Sequence, residues 1–413
     1  MQYTFPAAIT LDEVRAVVAR ANARLETNVF IEADRGDYVI FNYVISFPEV
    51  FPFPGTGDAD LDREYAILRE CRGLTFYKDG RIAALKWNKF FNLLEKPETM
   101  PSVIDWRQPH FVYEKLDGSM ITPFIEADGT VSWHTKMGNT DVAKLVAPFV
   151  VQSPALYEKF ARDCASFNDG SGITPMFEFC SRSQRIVVDH PVDRMVLLGA
   201  RFNDTGKYAG YDTLLEWGKD YRIEVVGRHS SETVGDIDAF LSATAGETGI
   251  EGYIIAFENG MRYKVKTDEY RTIHRVVSDL ASEKAVVRLI VDNTLDDALP
   301  MLADEDRAYV LEFSRKLSEG LGETSKSVDD YVARGQAVTS DQRSFAEWVK
   351  ANVPERLSGV VFRTARGEDA MEGLMALIGK NIGTGTRLEA VRDLWGGHRW
   401  VWGDQMGSRL DDA

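Results

Sequence analysis

Residues 111–119 read Phe111-Val112-Tyr113-Glu114-Lys115-Leu116-Asp117-Gly118-Ser119. The aromatic and β-branched residues before Lys115 are typical of a strand, and Gly118 is typical of the turn that follows. Lys115 is therefore expected where a strand ends, a position from which a buried amine can face a pocket. An ordinary surface turn can have the same sequence, so these residues alone only suggest a nucleophilic lysine.

A lysine acts as a nucleophile only when its amine is neutral, so its pKa has to fall from about 10.4. Burial and neighbouring cations both lower the pKa of an amine. The sequence offers candidate cations in Arg72, Lys264 and Lys266, which are also suited to a nucleotide triphosphate. We therefore expect a lowered pKa at Lys115.

Several other short motifs accompany this lysine. In chain order they are Cys71-Arg72-Gly73, Asn88-Lys89-Phe90-Phe91-Asn92, Thr135-Lys136, Phe177-Glu178-Phe179, Glu251-Gly252-Tyr253 and Lys264-Val265-Lys266. Their order and identities resemble the covalent nucleotidyltransferases, the superfamily of ligases and capping enzymes. Within that superfamily they resemble the phage-type ATP-dependent RNA ligase 1 family, and the resemblance covers residues 60–275.

The resemblance implies an ATP-dependent RNA ligase that joins an RNA 5′-phosphate to a 3′-hydroxyl. Lys115 would take AMP from ATP as lysyl-AMP, AMP would pass to the RNA 5′-phosphate, and the 3′-hydroxyl would then displace it. The implied cofactors are ATP and Mg²⁺, or Mn²⁺ in its place. The implied partner is RNA, as single-stranded ends or a broken tRNA loop, in RNA repair.

The resemblance also implies roles for the other motif residues. Asp117 would orient the loop or help with the metal, rather than act as a base. Glu178 would contact the nucleoside sugar, and Glu251 would help to bind the metal. Lys264 and Lys266 would both reach the α-phosphate, because alternate side chains of a strand share a face. The remaining ATP contacts are implied at Arg72, Lys89, Glu114, Gly118 and Lys136.

The rest of the sequence predicts an α+β fold, with an antiparallel-sheet nucleotidyltransferase (adenylation) domain and a C-terminal all-α domain. Hairpin turns are expected at Asp79-Gly80 and Asn259-Gly260, and a first helix at Leu11–Leu25 capped by Thr10. Helical periodicity takes over after about Asp268. The strand-like runs are Tyr38–Val44, Phe111–Glu114, Met176–Phe179, Met195–Gly199 and Tyr253–Phe257.

We place the domain boundary near residue 285. The adenylation domain would then span residues 1–285, and residues 286–413 would form a helical domain that selects the RNA. Residues 373–381 resemble a phosphate-binding loop, but five residues separate the glycines and Asn381 follows the lysine. The motif requires four residues and a Ser or Thr, so we interpret this segment as a core helix.

The composition restricts the class of protein. The 413 residues carry a formal net charge of −16, so RNA can bind only in a local basic cleft.

No apolar run approaches the ~20 residues of a membrane span, and the amino terminus lacks a secretory signal. We expect a cytoplasmic monomer, in the host cytoplasm if a phage encodes it. Cys71, Cys164 and Cys180 form no CxxC pair, which argues against a disulfide framework and a zinc site.

Two alternative functions stay open at this stage. A DNA ligase or a capping enzyme would follow the last lysine motif with a small β-structured domain instead of helices. A non-catalytic RNA-binding protein could keep the fold, although it would have no reason to keep every catalytic position. Glu178 could also lie on the polar face of an edge strand, and Lys264 and Lys266 could be a solvated strand face.

Overall fold

The computed structural model describes residues 5–47, 49–229, 234–338 and 341–401. The chain divides into two compact units between Thr272 and Ile273, inside a helix and before the predicted boundary at residue 285. The position of the domain boundary and the role given to each domain stay predictions.

The first sheet of the amino-terminal unit consists of four antiparallel strands in chain order. Helix α1 (Leu11–Arg24) and helix α2 (Ala59–Glu70) share an apolar core with this sheet. The predicted first helix is confirmed, and the Thr10 hydroxyl caps it by accepting a hydrogen bond from the Glu13 amide at 3.2 Å. The strands are β1 (Phe30–Asp34), β2 (Tyr38–Tyr43), β3 (Leu74–Tyr77) and β4 (Ile82–Ala84).

The second sheet contains the stretch around Lys115. Its strands are β5 (Phe91–Asn92), β6 (His110–Lys115), β12 (Arg228–His229), β13 (Gly252–Phe257) and β14 (Arg262–Lys266), in the order β12-β6-β13-β14-β5. All pairs are antiparallel except β14 with β5. The register places Gly252 opposite both Lys115 and Lys266, so the two lysines lie at the same end of the sheet.

The third sheet has the order β11-β10-β9-β7-β8. Its strands are β7 (Ser119–Ile125), β8 (Val131–His134), β9 (Ile173–Cys180), β10 (Arg194–Phe202) and β11 (Glu224–Val225). Helices α3 (Asp141–Gln152), α4 (Tyr157–Gly170) and α5 (Tyr211–Tyr221) share its apolar core, and α6 (Ile237–Ala245) contributes Phe240 to the core of the second sheet. Three largely antiparallel sheets with helices confirm the α+β fold class.

The second unit is helical. Its helices, starting with the one that crosses the division, are α7 (Asp268–Leu280), α8 (Glu283–Val291), α9 (Leu295–Ala298), α10 (Asp304–Val338), α11 (Gln342–Asn352), α12 (Glu355–Thr364), α13 (Ala370–Asn381) and α14 (Gly385–Glu389). The segment that resembles a phosphate-binding loop lies in α13, where Leu374 and Ile378 are buried and Gly373 lies against Val360. Among described residues beyond Lys266 there is no strand.

Cys71, Cys164 and Cys180 are all free and buried. Within the described ranges, none of the helices combines the length and apolar composition needed to cross a bilayer.

A buried ion pair ties the helix before the Arg72 motif to the third sheet. Arg201 of β10 bonds Glu70 of α2 at 2.7 Å, and both side chains are fully buried. The Arg201 guanidinium also donates to the carbonyl oxygens of Lys86 and Gly206, at 2.7 and 3.0 Å. The pair therefore fixes the position at which the chain leaves α2 for Arg72.

We predict that Arg201→Met lowers the free energy of unfolding by about 3–5 kcal/mol, because it leaves the Glu70 carboxylate buried without its cation. Arg15→Met is the matched control, since Arg15 pairs with Glu32 on the surface and is 41% exposed. It should change stability by less than about 1 kcal/mol. Chemical denaturation measures both, and equal losses would contradict the prediction.

Candidate active site

Lys115 and Lys266 share one carboxylate oxygen. The Lys115 Nζ lies 2.6 Å from Glu251 Oε1, and the Lys266 Nζ lies 2.9 Å from the same atom. Glu251 directly precedes β13, whose first residue, Gly252, pairs with both lysines across the sheet. Three residues from distant parts of the chain therefore meet because of the register of β6, β13 and β14.

The pKa of Lys115 is raised, which contradicts the lowered pKa expected from the sequence. Burial lowers it, but the carboxylates of Glu251, Glu178 and Asp117 together outweigh burial. The expectation failed because it counted the cations around the lysine and left out the acidic groups. Lys115 is protonated in this arrangement, and it loses its proton more readily once the charge of Glu251 is engaged elsewhere.

Lys264 shows the opposite behaviour. Burial holds its pKa well below the ordinary value, and the charges of Lys115 and Arg72 lower it further. Its Nζ lies 5.1 Å from the centre of the Phe90 ring, so an aromatic face partly replaces the water that the ammonium group loses. The site thus contains a second amine that an incoming anion would stabilise in its charged form.

Glu178 lies on β9, opposite Met120 of β7 and Val196 of β10. Burial raises the pKa of its carboxyl to about 8, against the attraction of Lys115, with Glu251 and Asp117 adding repulsion. A carboxyl with this pKa is mostly protonated at neutral pH and can donate a hydrogen bond. Since β9 has neighbours on both sides, Glu178 is not on an edge strand.

Asp117 makes structural bonds with both carboxylate oxygens. Its Oδ2 accepts from the amides of Val187 and Val188 at 2.8 and 2.7 Å, and its Oδ1 accepts from the Tyr270 hydroxyl at 2.8 Å. Its carbonyl oxygen lies 2.6 Å from His190 Nε2. This arrangement is suited to orienting the loop after Lys115 and leaves little capacity for proton transfer.

Two glycines allow close backbone approach around the lysine. A Cβ at Gly118 would lie 2.6 Å from the Phe179 carbonyl oxygen. A Cβ at Gly252 would lie 2.0 Å from the Val265 carbonyl oxygen, and its φ of +140° also favours glycine. Only a residue without a side chain lets these strands pack so tightly beside Lys115.

A group of cations surrounds Tyr43 at the end of β2. The Lys89 Nζ donates to the Tyr43 hydroxyl at 3.1 Å, and the Lys136 Nζ lies 6.0 Å from the ring centre. Burial raises the pKa of Tyr43, but Arg72, Lys89 and Lys136 outweigh it and lower the pKa to about 8. The same charges that favour a phenolate would favour phosphate oxygens.

Residues 70–270 match the family model for RNA ligase of the T4 RNA ligase 1 type. The enzyme class of the chain is accordingly RNA ligase.

Individual relatives are distant. The chain is 25% identical over 289 residues to a protein named as an RNA ligase in Thermovibrio ammonificans, covering 67% of this chain and 70% of the relative. A protein named as a bifunctional polynucleotide kinase/RNA ligase in Autographa californica nuclear polyhedrosis virus is 23% identical over 275 residues, covering 61% and 38%. A solved archaeal ATP-dependent RNA ligase has a TM-score of 0.40 and 12% identity, covering 73% of this chain and 78% of that one.

This candidate site brings together most of the residues that the sequence singled out. The contacts and mutual charge effects described above connect Lys115, Asp117, Glu178, Glu251, Lys264, Lys266, Arg72, Lys89 and Lys136, with Gly118 in the adjoining turn. Glu114 is different: it is exposed, and its carboxyl lies against Gly227, where a Cβ would come within 2.8 Å.

Tyr43 is a residue of this candidate site that sequence reasoning missed. It lies on a strand that was predicted only as sheet, before the region that the family model matches. No spacing in the sequence relates it to Lys89, because the two meet through the packing of β2 against the segment before β5. A tyrosine at the end of a buried strand is a weak signal that only the structure makes specific.

We predict that Glu178→Gln stabilises the ligase at about pH 8 and above, but not below about pH 4.5. Between the ordinary pKa of 4.5 and the folded value of about 8, the folded state holds a proton that the unfolded state has lost. Stability therefore falls as pH rises through this window, and glutamine removes that penalty. Unfolding free energies measured across this pH range give the result.

Glu13→Gln is the control with the opposite sign. A hydrogen bond from Arg63 holds the pKa of Glu13 below its ordinary value, so its contribution is present above pH 4.5 and is lost as pH falls. That variant should lose stability at neutral pH. If Glu178→Gln lost stability at neutral pH as Glu13→Gln does, the assignment of a buried, protonated carboxyl to Glu178 would be wrong.

Proposed function

We propose that the chain is an ATP-dependent RNA ligase that joins a 5′-phosphate to a 3′-hydroxyl through lysyl-AMP at Lys115 and an RNA-adenylate. The observation that carries the proposal is the shared contact of the Lys115 and Lys266 amines with Glu251 Oε1. This contact supports the proposal because the amine that would be the nucleophile and an amine that would bind phosphate meet at one oxygen atom, near the cations around Tyr43.

The reaction would proceed in three displacements at phosphorus. The Lys115 Nζ forms a bond to the α-phosphorus of ATP and gives up its proton, while the bond to pyrophosphate breaks. An oxygen of the RNA 5′-phosphate then takes the AMP, which breaks the N–P bond and returns Lys115 to an amine. Finally the RNA 3′-hydroxyl attacks the 5′-phosphorus, loses its proton and releases AMP. All three steps need cations and in-line positioning.

The cations of the site support these steps. Lys264 and Lys266 lie on the face of β14 that also carries the contact with Glu251, and would stabilise charge on the α-phosphate. Arg72, Lys89 and Lys136 would hold the outer phosphates of ATP or the phosphate of the RNA end, with Tyr43 orienting Lys89. Glu178 would hydrogen-bond the sugar.

The described residues hold no cluster of three or more metal-ligating side chains. Mg²⁺ bound with a nucleotide needs only one or two carboxylates, because phosphates and water complete its ligands. Glu251 fits that requirement, as a buried carboxylate that already balances two positive charges. A divalent cation, Mg²⁺ or Mn²⁺, would neutralise phosphate charge when bound. Engaging Glu251 in this way would also favour the loss of the Lys115 proton.

The competing functions are less well supported. A DNA ligase or a capping enzyme is disfavoured by the helical character of the described chain beyond Lys266. A non-catalytic RNA-binding protein has no use for a lysine and three carboxylates in one buried site, since buried charges are costly. We further propose that the helical unit selects the RNA end, in tRNA repair, in the cytoplasm.

We predict that the native protein, incubated with α-labelled ATP and Mg²⁺, acquires acid-stable label and that Lys115→Ala acquires none. The reason is that the label rests on an N–P bond to this one amine. Gel autoradiography with a metal-free control provides the measurement. Lys144→Ala is the matched control, because it removes a surface lysine that is 64% exposed, and it should label as the native protein does.

A second substrate separates a nucleophile from a structural lysine. RNA that already carries AMP on its 5′-phosphate bypasses the first two steps, so Lys115→Ala should still seal it. Absence of label on the native protein would refute the assignment. Loss of sealing of pre-adenylated RNA by Lys115→Ala would mean that the lysine supports the whole site instead of forming the intermediate.

A further inference from the structure

A cavity lies in the amino-terminal unit, at the end of the second sheet that is remote from Lys115. Its volume is about 850 Å³. It is bounded by the segment between β10 and α5, by β12, and by the turn between β13 and β14. We call it the aromatic groove, defined by Phe111, Tyr208, Tyr211, Arg228 and Arg262.

In the groove, guanidinium groups lie over aromatic rings. The Arg228 Cζ lies 4.1 Å from the centre of the Tyr211 ring and 4.6 Å from that of Phe111. The Arg262 Cζ lies 3.6 Å from the centre of the Tyr208 ring. No carboxylate among the described residues forms an ion pair with either arginine at 4.0 Å or less. Both guanidinium groups therefore keep hydrogen-bond donors for a ligand.

The groove continues the active site along the same sheet face. Phe111, Tyr113 and Lys115 share one face of β6, because side chains alternate along a strand. The strand register also brings Phe111 of β6 and Arg262 of β14 to the same end of the sheet, because Ala256 of β13 pairs with both. Four residues of antiparallel strand span about 14 Å. The groove thus lies a short run of nucleotides away from Lys115.

Aromatic contacts fill the distance between the two places. Tyr208 stacks on Trp87 with ring centres 5.0 Å apart, and Trp87 meets Phe90 at 6.5 Å. The Lys264 Nζ lies over this Phe90 ring. A continuous row of aromatic rings therefore connects the groove to Lys264, at the proposed α-phosphate site.

We propose that the aromatic groove binds the bases of single-stranded RNA next to the end held at Lys115. The inference rests on the proposed ligase function and adds where the substrate strand lies. Aromatic rings and arginine planes stack on bases of any sequence, whereas bases in a duplex are already stacked on one another. Asp212 and Glu258 also line the groove and oppose phosphate there, so base stacking supplies most of the affinity.

The test measures binding of a short labelled single-stranded RNA by fluorescence anisotropy at several salt concentrations. Arg228→Ala should weaken binding about 10-fold, the scale of one lost stacking contact. Arg228→Lys keeps the charge but not the plane, so its affinity should also fall while the salt dependence stays as in the native protein. Tyr211→Phe should bind normally, and Tyr211→Ala should bind weakly.

Lys219→Ala is the matched control, because it removes an exposed positive charge from α5 outside the groove. It should leave RNA affinity unchanged. Thermal unfolding of each variant shows whether the fold is kept, and Arg228 is exposed, so its replacement should not disturb the core. Native RNA affinity in folded Arg228→Ala and Tyr211→Ala would overturn the proposal, as would equally tight binding of duplex RNA.

Self-labelling with α-labelled ATP separates this inference from the proposed function. If Arg228→Ala labels normally but binds and seals RNA weakly, the result supports the proposal that the groove binds RNA. If the native protein fails to label, the ligase proposal fails, and the anisotropy series still decides whether the groove binds RNA. Normal labelling and normal RNA binding by the groove variants would leave the ligase assignment standing and remove the groove.

Discussion

The site depends on one carboxylate oxygen that holds two lysine amines. Glu251 Oε1 can reach Lys115 and Lys266 only because β13 lies between β6 and β14 in a register that puts Gly252 opposite both. A slip of one residue would turn an entire set of side chains to the other face of the sheet. The glycine at the crossing point, with no Cβ to meet the Val265 carbonyl, makes that close register feasible.

The pKa values of the site are set by several lysines and carboxylates that lie close together in a largely buried position. Burial lowers the pKa of both Lys115 and Lys264, but the carboxylates reverse this at Lys115 and the neighbouring cations reinforce it at Lys264. Glu178 meanwhile retains a proton near neutral pH. A strongly acidic chain can thus contain a local cationic cleft, because what an anionic ligand senses is the nearby arrangement of charge and not the net charge.

Local patterns predicted much of the fold. The cap at Thr10, the hairpin at Asp79-Gly80 and the strand before Lys115 were recognisable because each depends on neighbours in sequence. Helix α2 was missed although Asp58 caps it, since its last turns bury the consecutive residues Ala66 to Glu70, including the charged Arg69 and Glu70, and so show no simple apolar stripe. Helix α10 runs from Asp304 to Val338, and its buried Leu321, Val328 and Gly335 continue one apolar stripe through the later turns.

The sequence by itself determined which residues are present for chemistry, their order, and the strand that presents Lys115, because motifs and side-chain alternation are properties of short segments. Only the tertiary structure decided the direction of the Lys115 pKa, the place of Tyr43 among the lysines, and the continuity of the sheet face from Lys115 to Arg262. Each of these depends on distances and burial between residues far apart in the chain. Coulomb energy and desolvation vary with those distances, which no local pattern contains.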